Sequence, residues 1–152
     1  MSQTLDTNVL VTASNTASPD QPRAQALVEH LSAGPSLVIL LWPTLMGYLR
    51  IATHAGIFDA PLSPDESRDN VTALIERPHV RTAGEGDRFW PLYERVATEI
   101  RPRANLVPDA HLVALMHEHG ITTIWTADRD FRKFDGITAR NPFDARYAYG
   151  FI

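Results

Sequence analysis

Asp6, Asp109 and Asp128 each sit at the border of an apolar segment, and Asp130 follows two residues after the last of them. Asp6 ends the short apolar start of TLDTNVLV, Asp109 opens a helical pattern, and Asp128 comes just past ITTIWT. If the apolar runs are parallel strands, these acids meet in the crevice beyond the strands' carboxyl ends, where open α/β sheets bind ligands. Crowded carboxylates repel one another, so such a cluster calls for a cation. The chain has no cysteine, and its histidines are not at HExxH spacing. Hard oxygen donors of this kind favour Mg2+, with Mn2+ as the alternative, over zinc. Such an ion polarises a phosphoryl oxygen and acidifies a bound water, so the chemistry these residues suit is phosphodiester hydrolysis.

The elements that must position the acids are legible from periodicity. In LVPDAHLVALMHEHG, Leu112, Leu115, Met116 and His119 recur at i, i+3, i+4 and i+7, one face of a helix. Pro108 suits its first turn and Gly120 its end. ITTIWT, β-branched and aromatic, predicts a strand buried on both faces. A first strand ends near Asp6, and Asp-Thr-Asn turns the chain into a helix. Ala24, Leu27, Val28 and Leu31 mark the next helix, closed by Gly34-Pro35. LVILLW (37–42) predicts a buried strand ended by Pro43, followed by a helix over TLMGYLRIATH with Leu45, Leu49 and Ala52 inward. Ser63-Pro64-Asp65-Glu66 predicts a capping box, and Val80 a short strand. Phe89, Leu92, Tyr93, Val96 and Ile100 give a further helix, and ITAR a last strand. Strands alternating with helices predict one α/β domain over 1–152 with a central parallel sheet.

Composition narrows the function classes. Hydrophobic content of 44% and charged content of 21% are those of an ordinary globular domain. The net charge of −4 gives no global basic field, so nucleic acid would have to be held by a local patch. Arg129, Arg132, Lys133 and Arg140 form the best such cluster; it either holds RNA backbone or balances Asp128, Asp130 and Asp135. Arg50 and His54, i and i+4 on one helix, are a solvated face by default and a phosphate contact in the sharper reading. No apolar run reaches the roughly 20 residues a membrane-spanning helix needs, and no signal peptide is visible. A cytoplasmic location without membrane attachment is the expectation.

Blander readings stand beside these. Capping explains Asp6 or Asp109 taken singly, but not both together with Asp128. Asp130, between Arg129 and Arg132, is equally well a surface ion-pair residue. His111, His117 and His119 read as helix surface and core edge. Trp42, Trp90 and Trp125 lie in or beside apolar segments and read as core. The face around Leu45, Leu49 and Ile51 and the tail from Tyr147 to Ile152 are candidates for packing on a partner chain.

DTNVL at 6–10, VPDAHLVAL around Asp109 and TADRDF at 126–131, taken in this order, resemble the PIN-domain family. More closely they resemble the VapC-type ribonuclease toxins of bacterial type II toxin–antitoxin pairs. The likeness extends over nearly the whole chain, through SPDQPRA, the LRIATH helix and the EHG turn. It implies a three-layer α/β/α fold, Mg2+-dependent cleavage of RNA, a cognate VapB-type antitoxin and a homodimer. By position, Asp6, Asp109 and Asp128 match the family's catalytic, metal-binding acids, with Asp130 a further metal ligand. Asn8 matches the polar residue near the metal and, with Arg50, Arg129 and Arg132, is a candidate RNA contact. The chain departs from the family on the helix after the second strand, where a glutamate is usual. Here that position falls at Gly47 or Met46, and no acid occurs between Glu29 and Asp59. A single-metal site compensated by Asp130 follows as the expectation. The rivals are a degenerate PIN domain that binds antitoxin or RNA without cleaving, a DNA-directed nuclease, and a phosphatase. A haloacid-dehalogenase-type phosphatase would want DxD where the chain has DTN.

Overall fold

A computed structural model describes residues 2–151. Among these, five strands and six α-helices follow one another as β1 (Gln3–Leu5), α1 (Thr7–Ser14), α2 (Gln21–Ser32), β2 (Val38–Leu41), α3 (Trp42–Ala52), α4 (Pro64–Ile75), β3 (Val80–Ala83), α5 (Phe89–Ile100), α6 (Leu106–Glu118), β4 (Thr123–Trp125) and β5 (Thr138–Arg140). All strand pairs are parallel, in the order β3-β2-β1-β4-β5. The chain works outward from β1 to β3, then crosses back to lay β4 on the other side of β1. The β1/β4 junction is therefore the topological switch point. Leu5 is in register with Trp125, so Asp6 and Thr126 leave the sheet side by side.

Two apolar layers cover the sheet. Leu5, Leu40 and Trp125 face α1–α4 with Val9, Leu27, Leu45 and Tyr48. Leu41 and Ile124 face α5 and α6 with Val113, Leu115, Met116 and Phe131. The expected three-layer α/β/α arrangement is thus the one observed. Strands buried on both faces explain why LVILLW and ITTIWT read as continuous apolar runs rather than alternating ones.

Several expectations need correcting. Trp42 and Trp90 are 43% and 60% exposed, while Trp125 is core. On α3 the inward positions are Thr44, Leu45, Tyr48 and Ala52, which turns Trp42 and Met46 away from the sheet. Trp90 sits one residue off the face of α5 that meets α6, and it stacks on Tyr93 instead. Leu45, expected at a partner surface, is fully buried. The tail is covered intramolecularly, since Tyr147 and Phe151 pack edge-on against Trp125; Ile152 lies outside the described residues. Pro43 does not follow a strand end so much as open α3, which begins at Trp42.

Candidate metal centre

Asp6 is the N-cap of α1 and only 8% exposed. Its Oδ1 accepts from the Thr7 backbone N–H at 2.7 Å. Its Oδ2 accepts from the Thr126 hydroxyl at 2.7 Å and from Asn8 Nδ2 at 3.0 Å. Asp6 therefore caps α1 and lines a cleft at the same time. Burial raises the Asp6 carboxyl above the usual aspartate range, against the lowering effect of these hydrogen bonds, and Asp128 adds to the rise. Asp109 lies in the first turn of α6. Burial first, then the charges of Asp128, Asp6 and Asp130, push it up to about 7, with Lys133 opposing.

Asp128 and Asp130 come from the turn after β4, where Asp128 Oδ1 accepts from the Asp130 N–H at 2.9 Å and caps a short 3-10 helix, Arg129–Lys133. One carboxylate oxygen each from Asp109, Asp128 and Asp130 lie within 4.8 Å of one another. Asp130 also pairs with Lys133 at 3.1 Å. Asp6, Asp109 and Asp128 border a common cleft of about 470 Å³ that also includes Gly47, Arg50 and His111. Arg129 and Arg132 lie outside that cleft, lining a small crevice behind Asp128 with Asn141.

Thr126 is the residue sequence reasoning passed over. It is 2% exposed, and its hydroxyl donates to Asp6 while accepting from the Asp128 N–H at 2.9 Å and from Asn8 Nδ2 at 3.2 Å. It ties together two acids that are 122 positions apart in the chain. Asn8 completes the brace, its Oδ1 accepting from the Ala127 N–H at 3.2 Å. A threonine at the end of a β-branched run carries no signal of this role. Of the two positions at which the usual glutamate was expected, Gly47 lines the cleft and Met46 is exposed. A Cβ at 47 would stand 3.0 Å from Thr7 Oγ1 and 3.3 Å from its Cγ2, so α1 closes against α3 where the usual glutamate would begin. Beside the cleft, Glu85 is hydrogen-bonded to His111, and its carboxyl lies below the usual range because of a backbone hydrogen bond within its own residue and then His111.

The family model for the PIN domain matches residues 4–137. The chain is 57% identical over 143 residues to Ribonuclease VapC48 of Mycobacterium tuberculosis, covering 94% of this chain and 99% of that one. In fold it is similar to VapBC2 of Rickettsia felis, solved bound to a promoter DNA fragment, with TM-score 0.69 at 14% identity over 93% of this chain and 98% of that one. It is likewise similar to M. tuberculosis VapC20, a Sarcin-Ricin loop cleaving toxin, with TM-score 0.63 at 16% identity over 90% and 98% of the two chains. Four acids at the switch point of a five-stranded parallel sheet, the family model and the VapC48 relative agree, and the chain belongs to the PIN-domain family, in its VapC branch.

Proposed function

We propose that the chain, as a single PIN-like domain over 1–152, is a metal-dependent endoribonuclease acting as the toxin of a type II toxin–antitoxin pair. The observation that carries the reading is the packing of Asp109, Asp128 and Asp130 within 4.8 Å beside buried Asp6, with Asp109 driven up to about 7. Carboxylates held that close without a cation repel, and an all-oxygen set with no thiolate fits Mg2+, or Mn2+ in its place. Asp6, Asp109 and Asp128 would hold the ion, with Asp130 in the place of the absent helix glutamate. When bound, the ion supplies positive charge to the phosphodiester and acidifies a water for in-line attack. Asp109 gives up its proton for the ion, while Thr126 and Asn8 fix the Asp6 carboxylate. Arg50 on one side of the acids and Arg129 and Arg132 on the other position RNA phosphates. One ion rather than two follows from Gly47. A calorimetric Mn2+ titration tests this: one site per chain, weakened at least tenfold by Asp130→Asn, is expected, and unaltered affinity removes Asp130 from the site.

The toxin reading includes a cognate VapB-type antitoxin and a homodimer in the cytoplasm. Among the described residues no helix is long and apolar enough to cross a membrane. An apolar groove of about 190 Å³ between α1, α2, α3 and α4, lined by Leu10, Val28, Tyr48, Val71 and Leu74, suits an amphipathic antitoxin segment. Induced expression in a bacterial host is expected to arrest growth, with relief by the neighbouring antitoxin gene or by Asp6→Ala. Growth arrest that survives Asp6→Ala would favour the non-cleaving rival.

A further inference from the structure

Of the basic group Arg129, Arg132, Lys133 and Arg140, only Lys133 forms an ion pair with the clustered acids among the described residues. It is the only lysine in the chain. Its Nζ lies 3.1 Å from Asp130 Oδ1, and the two side chains are 59% and 50% exposed, open to exchange with solvent. They stand three apart in the 3-10 turn Arg129–Lys133, where side chains at i and i+3 eclipse, so the turn itself keeps them together. Asp130 is in turn one of the three acids whose carboxylate oxygens lie within 4.8 Å of one another. The ammonium therefore stands at the edge of the cluster. Its charge reaches Asp109, whose carboxyl it draws down against burial and the other acids.

An ion bound through Asp130 changes what that ammonium can hold. A divalent cation on the shared carboxylate repels the neighbouring charge and weakens the pair. Lys133 has three donors, no acceptor and a flexible four-carbon stem, so once released it seeks another anion within reach. Asp109 and Asp128 are taken by the same ion. What an RNA strand brings to that spot is phosphate, the one group on it that carries negative charge.

Resting on the reading of Asp130 as a metal ligand, we propose that Lys133 exchanges partners: it holds Asp130 in the metal-free protein and grips an RNA phosphate once the ion has taken that carboxylate. Lys133 is thus a substrate-positioning residue whose contact with RNA exists only in the loaded site. Ion and RNA favour each other's binding through this one side chain, equally in both directions by linkage.

The test uses the purified full chain, Mn2+ for calorimetry and a short labelled RNA spanning a mapped cut. RNA binding is followed by fluorescence anisotropy over a range of salt, in EDTA and with Ca2+ in place of Mg2+, a gel confirming that the strand stays intact. Without RNA, Lys133→Met is expected to bind Mn2+ about threefold more tightly, the worth of an exposed ion pair. With Ca2+, its RNA salt slope is expected to be shallower by about 0.7, the share of one phosphate on a single strand, whereas in EDTA the slope stays at the wild-type value. Lys133→Arg keeps the steeper slope. In an Asp130→Asn background, Lys133→Met loses most of its gain in Mn2+ affinity. A merely structural or long-range effect of the charge would depend on neither the ion nor Asp130. The proposal is overturned if Lys133→Met leaves Mn2+ affinity unchanged, if its full gain persists beside Asp130→Asn, or if the RNA slope falls equally in EDTA and in Ca2+. Unaltered Mn2+ affinity in Asp130→Asn alone removes Asp130 as a ligand, and the exchange with it. A tenfold loss there, with no ion-dependent change of slope in Lys133→Met, sinks this inference alone.

Discussion

At Asp109, burial and three neighbouring acids raise the carboxyl from 3.8 to about 7, so the folded metal-free protein keeps a proton that the unfolded chain releases. Between those two values the native state binds more protons than the unfolded state, and stability falls as pH rises; above about 7 the loss is complete. The metal-free protein is therefore expected to melt at a higher temperature near pH 5 than near pH 8. Asp109→Asn is expected to flatten that dependence and to raise the melting temperature at the alkaline end, which scanning calorimetry in chelator measures. A pH profile unchanged by the substitution would count against the electrostatic account of the cleft. Metal affinity should rise through the same window, because ion and proton compete. Thr126→Val keeps the shape but leaves the Asp6 Oδ2 and Asp128 N–H bonds unmade, at a cost of roughly 1–3 kcal/mol; Thr126→Ser should recover most of it, as read from urea midpoints. Asp6, Asp109 and Asp128 were legible in the sequence because an acid at the border of an apolar run stands out. Thr126 was not, because its partner Asp6 lies 120 positions away and a hydroxyl in ITTIWT looks like strand filler. The Gly47 departure was visible, but the close approach of the Thr7 side chain to α3 at that point is a three-dimensional fact.

The elements followed periodicity closely wherever one face was apolar. The Ser63–Glu66 capping box formed as its spacing requires, with both reciprocal hydrogen bonds present. Trp42 and Trp90 misled because aromatic content says that a segment is near the core, while a helix can still rotate a single ring outward. α5 depends on a contact with no local signature. The Glu118 carboxylate, at the end of α6, accepts from the Gly86 and Arg88 N–H groups at 2.8 and 3.0 Å, capping α5 from another helix. Glu118→Ala is expected to cost about 1–2 kcal/mol, typical of a lost cap. It should leave Mg2+ affinity unchanged, because the clamp lies away from the acids. A chemical denaturation midpoint that does not move would show the clamp to be idle.

For the whole molecule, alternating strands and helices implied a parallel sheet, but not the strand order β3-β2-β1-β4-β5. Order depends on which crossovers close over which face, information spread across the chain. That order puts Asp6 and Asp128 at adjacent strand ends and leaves the groove of α1–α4 on the other side of α1. On the proposed reading, the cleft for catalysis and the groove for antitoxin are thus separate surfaces. Val71→Asp, half-buried at the groove wall, is expected to weaken antitoxin affinity at least tenfold while RNA cleavage persists, as judged by calorimetry and by a cleavage gel. Loss of cleavage with intact antitoxin binding would contradict that division. On the proposed reading the four acids make a nuclease without the usual helix glutamate. The most direct measurement is cleavage of total cellular RNA by purified, antitoxin-free protein, with Mg2+ or with EDTA, beside Asp6→Ala and Asp109→Ala. Discrete fragments that require Mg2+ and disappear in both variants are predicted. Intact RNA from a folded, Mg2+-loaded wild-type protein, or fragments that survive both substitutions, would contradict it.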